Sequence, residues 1–194
     1  MEEAIKTLEV KINKLPKPIL IGISGFGGSG KSTFARALGE KLKAPVVGVD
    51  SFAKHDIHKN YEFWEIIDYN RLNTEVLQPF LSNNQVIKYS NQDWKQSDTE
   101  NEIQHNGILI IEGIGLFRPE LMKHFSLTIW IDCPIEEATS RGKRRNKEQH
   151  NTTHDEYWDG IWQKNDLQCF ESFSPKQNVD FIVNHHQIGK IYIS

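Results

Sequence analysis

Apolar residues recur along this chain in two rhythms, and the rhythms take turns. Ile5, Leu8, Ile12 and Leu15 fall three or four residues apart, which predicts an amphipathic helix over residues 2–15. Pro16 and Pro18 end it, since proline lacks the N–H and disfavours helix in the residue before it. Ile19 to Ser24 is a short apolar run rich in β-branched residues, the mark of a buried strand. Phe34, Leu38 and Leu42 then recur every four residues, a helix again. Residues 44–50 predict a second buried strand with Asp50 at its end. Residues 51–68 are polar and aromatic without a period and predict a loop or short turns. Residues 69–82 predict a helix through Leu72, Val76, Phe80 and Leu81, with Pro79 kinking its last turn.

The alternation continues. Val86–Tyr89 predicts a short strand, and the polar residues 89–102 a hairpin or loop. Ile108 to Ile111 followed by Glu112 is the strongest strand signal in the chain. A short helix over 119–125, a strand over Leu127–Asp132 and a helix over 135–145 follow, then a polar connection from Asn146 to Thr153. Thr153-His154-Asp155-Glu156 fits a capping box opening a helix through Trp158, Ile161, Trp162 and Leu167. Val179–Asn184 predicts the last sheet strand, with Ile191–Ile193 as a short edge piece. Strands alternating with helices predict an α/β fold of three layers, a mainly parallel five-stranded sheet covered on both faces.

Between the first strand and its helix lies Gly25-Phe26-Gly27-Gly28-Ser29-Gly30-Lys31-Ser32, which matches G-x-x-x-x-G-K-[ST] at every fixed position. Glycines let successive N–H groups turn inward into an anion-binding nest. The following helix adds its positive dipole end. Lys31 is placed to reach the β- and γ-phosphates of a nucleotide, and the Ser32 hydroxyl to ligate Mg²⁺. In an open α/β sheet ligands bind beyond the carboxyl ends of the strands, which directs Asp50 and Glu112 to the same edge. An acid after a buried strand, as at Glu112, is the Walker-B arrangement that holds Mg²⁺.

A chain of 194 residues fits one domain, 1–194. Its net charge of −3 offers no general attraction to nucleic acid or a membrane surface. No apolar run approaches the length of a membrane span, and two cysteines, Cys133 and Cys169, give neither a metal spacing nor a disulfide framework. A reduced, cytoplasmic protein is the expectation. The cluster Arg141-Gly142-Lys143-Arg144-Arg145 is a local exception to the acidic balance, suited to the charge of a transferred phosphate. His55 and His58 lack a third ligand, so a solvated loop is the reading there.

These motifs resemble the uridine kinase and phosphoribulokinase-like group of P-loop kinases, over most of that small domain. The glycine loop followed by Thr33 fits the group. Val49-Asp50-Ser51-Phe52 is similar to its x-D-S-F-Y stretch, with Ala53 in place of tyrosine. Asn60 to Asp68 is similar to N-F-D-H-P-D-A-F-D, where Glu62 takes the place of an acid that binds sugar hydroxyls and Phe63-Trp64 replace His-Pro. Ile111 to Ile114 and Leu116 to Leu121, with Arg118, are similar to the Walker-B region, and Arg141 and Arg145-Asn146 fall at the lid. The resemblance implies ATP- and Mg²⁺-dependent phosphorylation of a hydroxyl on a small nucleoside- or sugar-like substrate. Asp50 would orient the hydroxyl and accept its proton. Lys31, Arg141 and Arg145 would stabilise the moving phosphoryl group. Gly25 to Thr33 would hold the nucleotide, and Ser32 and Glu112 the metal. Glu62, Tyr89, Asp93, Trp94 and Arg118 would line the acceptor side, on an insertion over about 53–105, with a lid over about 141–154.

A GTPase switch would need N-K-x-D and a transporter ATPase L-S-G-G-Q, and the chain has neither. A kinase for pantothenate, nicotinamide riboside or a sugar remains open, as do a nucleotide-binding module without catalysis and a homo-oligomer. The fold does not choose the substrate.

Overall fold

The apolar runs assemble into one sheet of six strands. They are β1 (Ile19–Ser24), β2 (Val46–Gly48), β5 (Ile108–Glu112), β6 (Leu127–Asp132), β7 (Phe181–Asn184) and β8 (Ile191–Ile193), in the order β2-β5-β1-β6-β7-β8. The first five in that row are parallel, and β8 adds an antiparallel edge. The computed structural model describes residues 1–54, 60–92, 98–150, 153–184 and 191–193. A separate antiparallel hairpin, β3 (Val86–Gln92) with β4 (Asp98–Gln104), takes up the polar stretch after Val86.

Strand alternation explains the layers. Ile19, Ile21 and Ile23 of β1 face one side, with Ile108, Ile110, Ile129 and Ile131. Helices α1 (Glu2–Ile12) and α2 (Lys31–Leu42) cover that side through Leu8, Ile12, Phe34 and Leu38. Leu20, Leu109, Ile111 and Trp130 face the other side, against Leu72, Val76 and Phe80. These last belong to α3, a helical run made of Tyr69–Arg71, Leu72–Leu77 and Gln78–Leu81. Its middle segment is π-wound, and the Gln78 N–H bonds to the Asn73 carbonyl five residues back. The wider turn leaves room for Pro79, whose missing N–H and ring would break an α-helical ladder, so the kink expected there is absorbed one turn earlier.

Three further expectations are corrected. The second strand stops at Gly48, because Val49–Ser51 turns as a 3₁₀ segment and lifts Asp50 off the strand. After the short α4 (Pro119–Met122), helix α5 (Ile135–His150) runs on through the basic cluster, where a polar connection from Asn146 was expected. The next helical run, α6, consists of Asp155–Tyr157, Trp158–Trp162 and Gln163–Phe173, and the short α7 (Pro175–Asn178) leads into β7. The capping box at its start does not form. His154 is the capping residue and makes no side-chain bond there; its ring packs on Tyr157 and Trp162 instead.

Candidate functional site

The parallel register gathers three strand ends. Glu112 is level with Gly48 of β2 on one side and Ile23 of β1 on the other. Past Ile23 the chain enters the glycine loop, and two residues past Gly48 stands Asp50. The Gly113 N–H bonds to the Ile23 carbonyl at 3.0 Å, and the Ser24 hydroxyl donates to the Gly113 carbonyl at 2.8 Å. The loop and the acid are thereby fixed to each other.

The loop takes the backbone that its glycines permit. Gly28 has φ of 83°, and Gly30, at 95°, caps α2 from the left-handed region. Lys31 is buried at the start of α2, with its Nζ 3.5 Å from the Phe26 carbonyl across the loop. The Phe26 ring points away from that cradle and packs on Trp130 and Phe170. A Cβ at Gly28 would stand 2.0 Å from the Ala138 carbonyl, so α5 lies directly on the loop. One turn further along α5, Gly142 gives place to the Trp158 indole, which also covers Gly27.

Glu112 is buried, and its Oε2 has no hydrogen-bond partner among the described residues. Burial raises its pKa; Lys31 opposes that, Asp50 adds to it, and a bond from the Ser32 side chain lowers it again. A buried, unpartnered carboxylate oxygen costs free energy, and a cation beside it would relieve that cost. A hydroxyl and carboxylates are the hard oxygen donors that Mg²⁺ takes. Ser32 and Glu112 therefore fit that ion. Asp50 is exposed and lies near enough to act electrostatically on both Glu112 and Tyr69.

The other expected residues are placed more variously. Arg141 is partly exposed and pairs with Glu137 at 3.2 Å, and Arg145 is exposed. Glu62 is exposed, and its carboxylate accepts from Lys164 at 3.1 Å and Gln168 at 3.2 Å. Tyr89 is buried, stacks on Phe52 and bonds to Asn101. Arg118 is buried and spends its donors within the protein. Its Nε reaches the Gly115 carbonyl at 3.1 Å, its Nη2 the Phe63 carbonyl at 2.7 Å, and its guanidinium lies 3.7 Å over the Tyr69 ring. Asp93, Trp94, His55 and His58 lie outside the described residues.

Two residues of α6 join the site without having been expected. Asn165 Oδ1 accepts from the Trp64 N–H at 2.7 Å, and Asn165 Nδ2 donates to the Tyr61 carbonyl at 3.2 Å. Asp166 is buried; its Oδ2 accepts from the Gly27 N–H at 2.7 Å and its Oδ1 from the Trp64 indole at 2.9 Å. Burial pushes the Asp166 carboxyl up to about 6, against the pull of the Gly27 N–H, Lys31 and Trp64. The clue in the sequence was polar residues on the apolar stripe through Trp158, Trp162, Cys169 and Phe173, where a buried Asn or Asp must have a partner.

A glycine loop between the central strand of a parallel sheet and a helix, with a buried acid at the neighbouring strand end, defines a P-loop phosphate-binding protein. A family model described as an AAA domain matches residues 21–162. A uridine kinase of Alkaliphilus metalliredigens is 31% identical, over 71% of this chain and 72% of that one. A uridine kinase of Aliivibrio fischeri is 27% identical over 85% of each. The solved structure of a possible uridine kinase from Bacillus stearothermophilus superposes with a TM-score of 0.71 at 18% identity, covering 93% of this chain and 97% of that one. The chain carries this P-loop domain and belongs to the uridine kinase and phosphoribulokinase-like family of P-loop kinases.

Proposed function

We propose that the protein transfers the terminal phosphoryl group of ATP to a hydroxyl of a small nucleoside- or sugar-like substrate. The observation that carries this is the unpartnered Glu112 Oε2 at the strand edge shared with Ser32, Lys31 and Asp50. When bound, Mg²⁺ would supply positive charge that offsets the charge of the phosphates. On the protein's side, the N–H groups of Gly25–Thr33 hold the phosphates and the buried Lys31 ammonium faces them. Ser32 and Glu112 hold the metal. Asp50 orients the acceptor hydroxyl and accepts its proton. Arg141 and Arg145 sit on α5, which rests on the loop, and stabilise charge on the phosphoryl group. Residues 53–105 form the acceptor side and about 141–154 the lid. The partner is a small molecule rather than nucleic acid or a membrane, and a cytoplasmic setting goes with it. Among the described residues no helix is long and apolar enough to cross a membrane.

One observation favours an acceptor other than uridine. Phe63 and Trp64 replace His-Pro, and Trp64 is buried, with its indole bound to Asp166. Glu62 is meanwhile engaged by Lys164 and Gln168. A sugar, pantothenate or nicotinamide riboside would use the same chemistry.

The test is ADP release from Mg-ATP across a panel of nucleosides, sugars and vitamins, beside Asp50→Asn. One acceptor should stimulate release strongly. The variant should bind ATP near normally and transfer about 10²–10⁴-fold more slowly. Turnover like wild type would remove Asp50 from its role. No stimulation by any hydroxyl compound, with ATP binding intact, would favour a nucleotide-binding module.

A further inference from the structure

A carboxylate on a phosphate loop is an unexpected lodger. Asp166 holds the Gly27 N–H, a backbone donor of the glycine loop, and the same carboxylate holds the indole of Trp64. Trp64 is no ordinary anchor. It and Phe63 are consecutive non-glycine residues at φ of 56° and 50°, a backbone that costs roughly 1–2 kcal/mol per residue. The turn is held there from several directions. Asn165 takes the Trp64 N–H, Gln168 takes the Phe63 N–H at 3.4 Å, and Arg118 holds the Phe63 carbonyl. Asp166 is the member of this set that also reaches the glycine loop. On its other side is a cavity shared with Ser24, Phe26, Trp130 and Cys169. The Trp130 indole N–H is buried without a partner among the described residues. A carboxylate leaving Gly27 therefore has a small cavity beside it.

We propose that Asp166 is a positioning residue that makes polyphosphate binding at the glycine loop and the seating of the Phe63-Trp64 turn depend on each other. This rests on the P-loop reading given above. A phosphate oxygen reaching the Gly27 N–H meets a carboxylate already bonded to it. The two anions cannot share the donor at no cost, so the carboxylate shifts or takes a proton. Either change alters its bond to Trp64, and the acceptor-side turn registers that the loop is filled. Among the described residues, the groups acting on Asp166 are Lys31 from α2, the Gly27 N–H from the loop and the Trp64 indole from the turn. On its own helix the Cys169 thiol, pushed up to about 12 by burial, is neutral. A proton on Asp166 removes the repulsion, and its carboxyl, lying near 6, takes that proton as the pH falls.

The experiment measures binding of inorganic pyrophosphate with Mg²⁺ by calorimetry, for wild type, Asp166→Asn and Trp64→Phe, with thermal melts to show that each is folded. Amide hydrogen exchange of residues 61–66 is followed with and without pyrophosphate. At pH 7.5 Asp166→Asn should bind about tenfold tighter than wild type. Toward about pH 5 the wild type should approach the variant, because its own carboxyl becomes neutral. Pyrophosphate should change exchange over residues 61–66 in wild type and not in Asp166→Asn. Trp64→Phe keeps an aromatic ring and removes the donor, so it should bind pyrophosphate and lose the exchange response. Equal or weaker binding by folded Asp166→Asn at pH 7.5, or an exchange response that survives in Trp64→Phe, overturns the proposal while leaving the P-loop reading intact. If wild type binds neither pyrophosphate nor Mg-ATP, both fall together.

Discussion

The phosphate half of the molecule and its acceptor half are held together by different means. Around the glycine loop, position is set by backbone: three parallel strand ends in register, left-handed glycines, and a helix packed onto the loop. Around Phe63 and Trp64, position is set by side chains that arrive from more than a hundred residues away, Asn165, Asp166 and Gln168, together with Arg118. A backbone-built site keeps its shape under substitution of most of its side chains. A side-chain-built site changes with each of them. The first suits a phosphate, which every substrate pair brings, and the second suits an acceptor that differs from one kinase to another.

That contrast has measurable edges. The largest effect is expected at Gly28. Gly28→Ala would force a left-handed alanine and drive its Cβ against the Ala138 carbonyl, a backbone atom that cannot rotate away. The cost should be about 3 kcal/mol in denaturant unfolding, with loss of Mg-ADP binding. A variant that kept both would mean that α5 moves off the loop easily and that this half is less rigid than its contacts suggest. Asn165→Ala comes next. It leaves the Trp64 N–H and the Tyr61 carbonyl without their partner in a buried place, at about 1–3 kcal/mol. Its effect on function should fall mainly on the acceptor side, with a raised KM for the acceptor and a smaller change in the Kd for Mg-ADP, passed on through Asp166. Equal damage to both would show that the halves cannot be separated this way. The smallest effect belongs to Glu62→Gln. Its pair with Lys164 is solvent-exposed, so the melting temperature should not move measurably. A change in acceptor KM at constant Tm would bring Glu62 into the pocket, and no change in either would leave it a surface residue.

The same division decides what could be read in the sequence. β1 and β6 were legible to the residue, since a buried parallel strand is a continuous apolar run and nothing else competes for it. The loop was legible because backbone geometry demands glycine at fixed spacing. The expected second strand is too long because Val49, which suits a strand, carries the reading past Gly48, although Asp50 and Ser51 are turn formers. The capping box does not form because the helix starts one residue later than the motif requires, with His154 as its cap and that ring packed on Tyr157 and Trp162. Pro79 announces a kink, but the π turn over Leu72–Leu77 that precedes it has no local signature. Asn165 and Asp166 announced only that something polar must meet them; their partners Trp64 and Gly27 lie far away along the chain.

The fit of Trp158 against α5 carries a consequence of inheritance. The indole lies where any side chain at Gly142 would have to be, with its ring atoms 2.2–2.6 Å from that missing Cβ. The two positions thus share one volume. A lineage that acquires a long basic residue at Gly142, adding a charge to the Arg141–Arg145 cluster, must first give up the tryptophan, and one that keeps the tryptophan is committed to glycine.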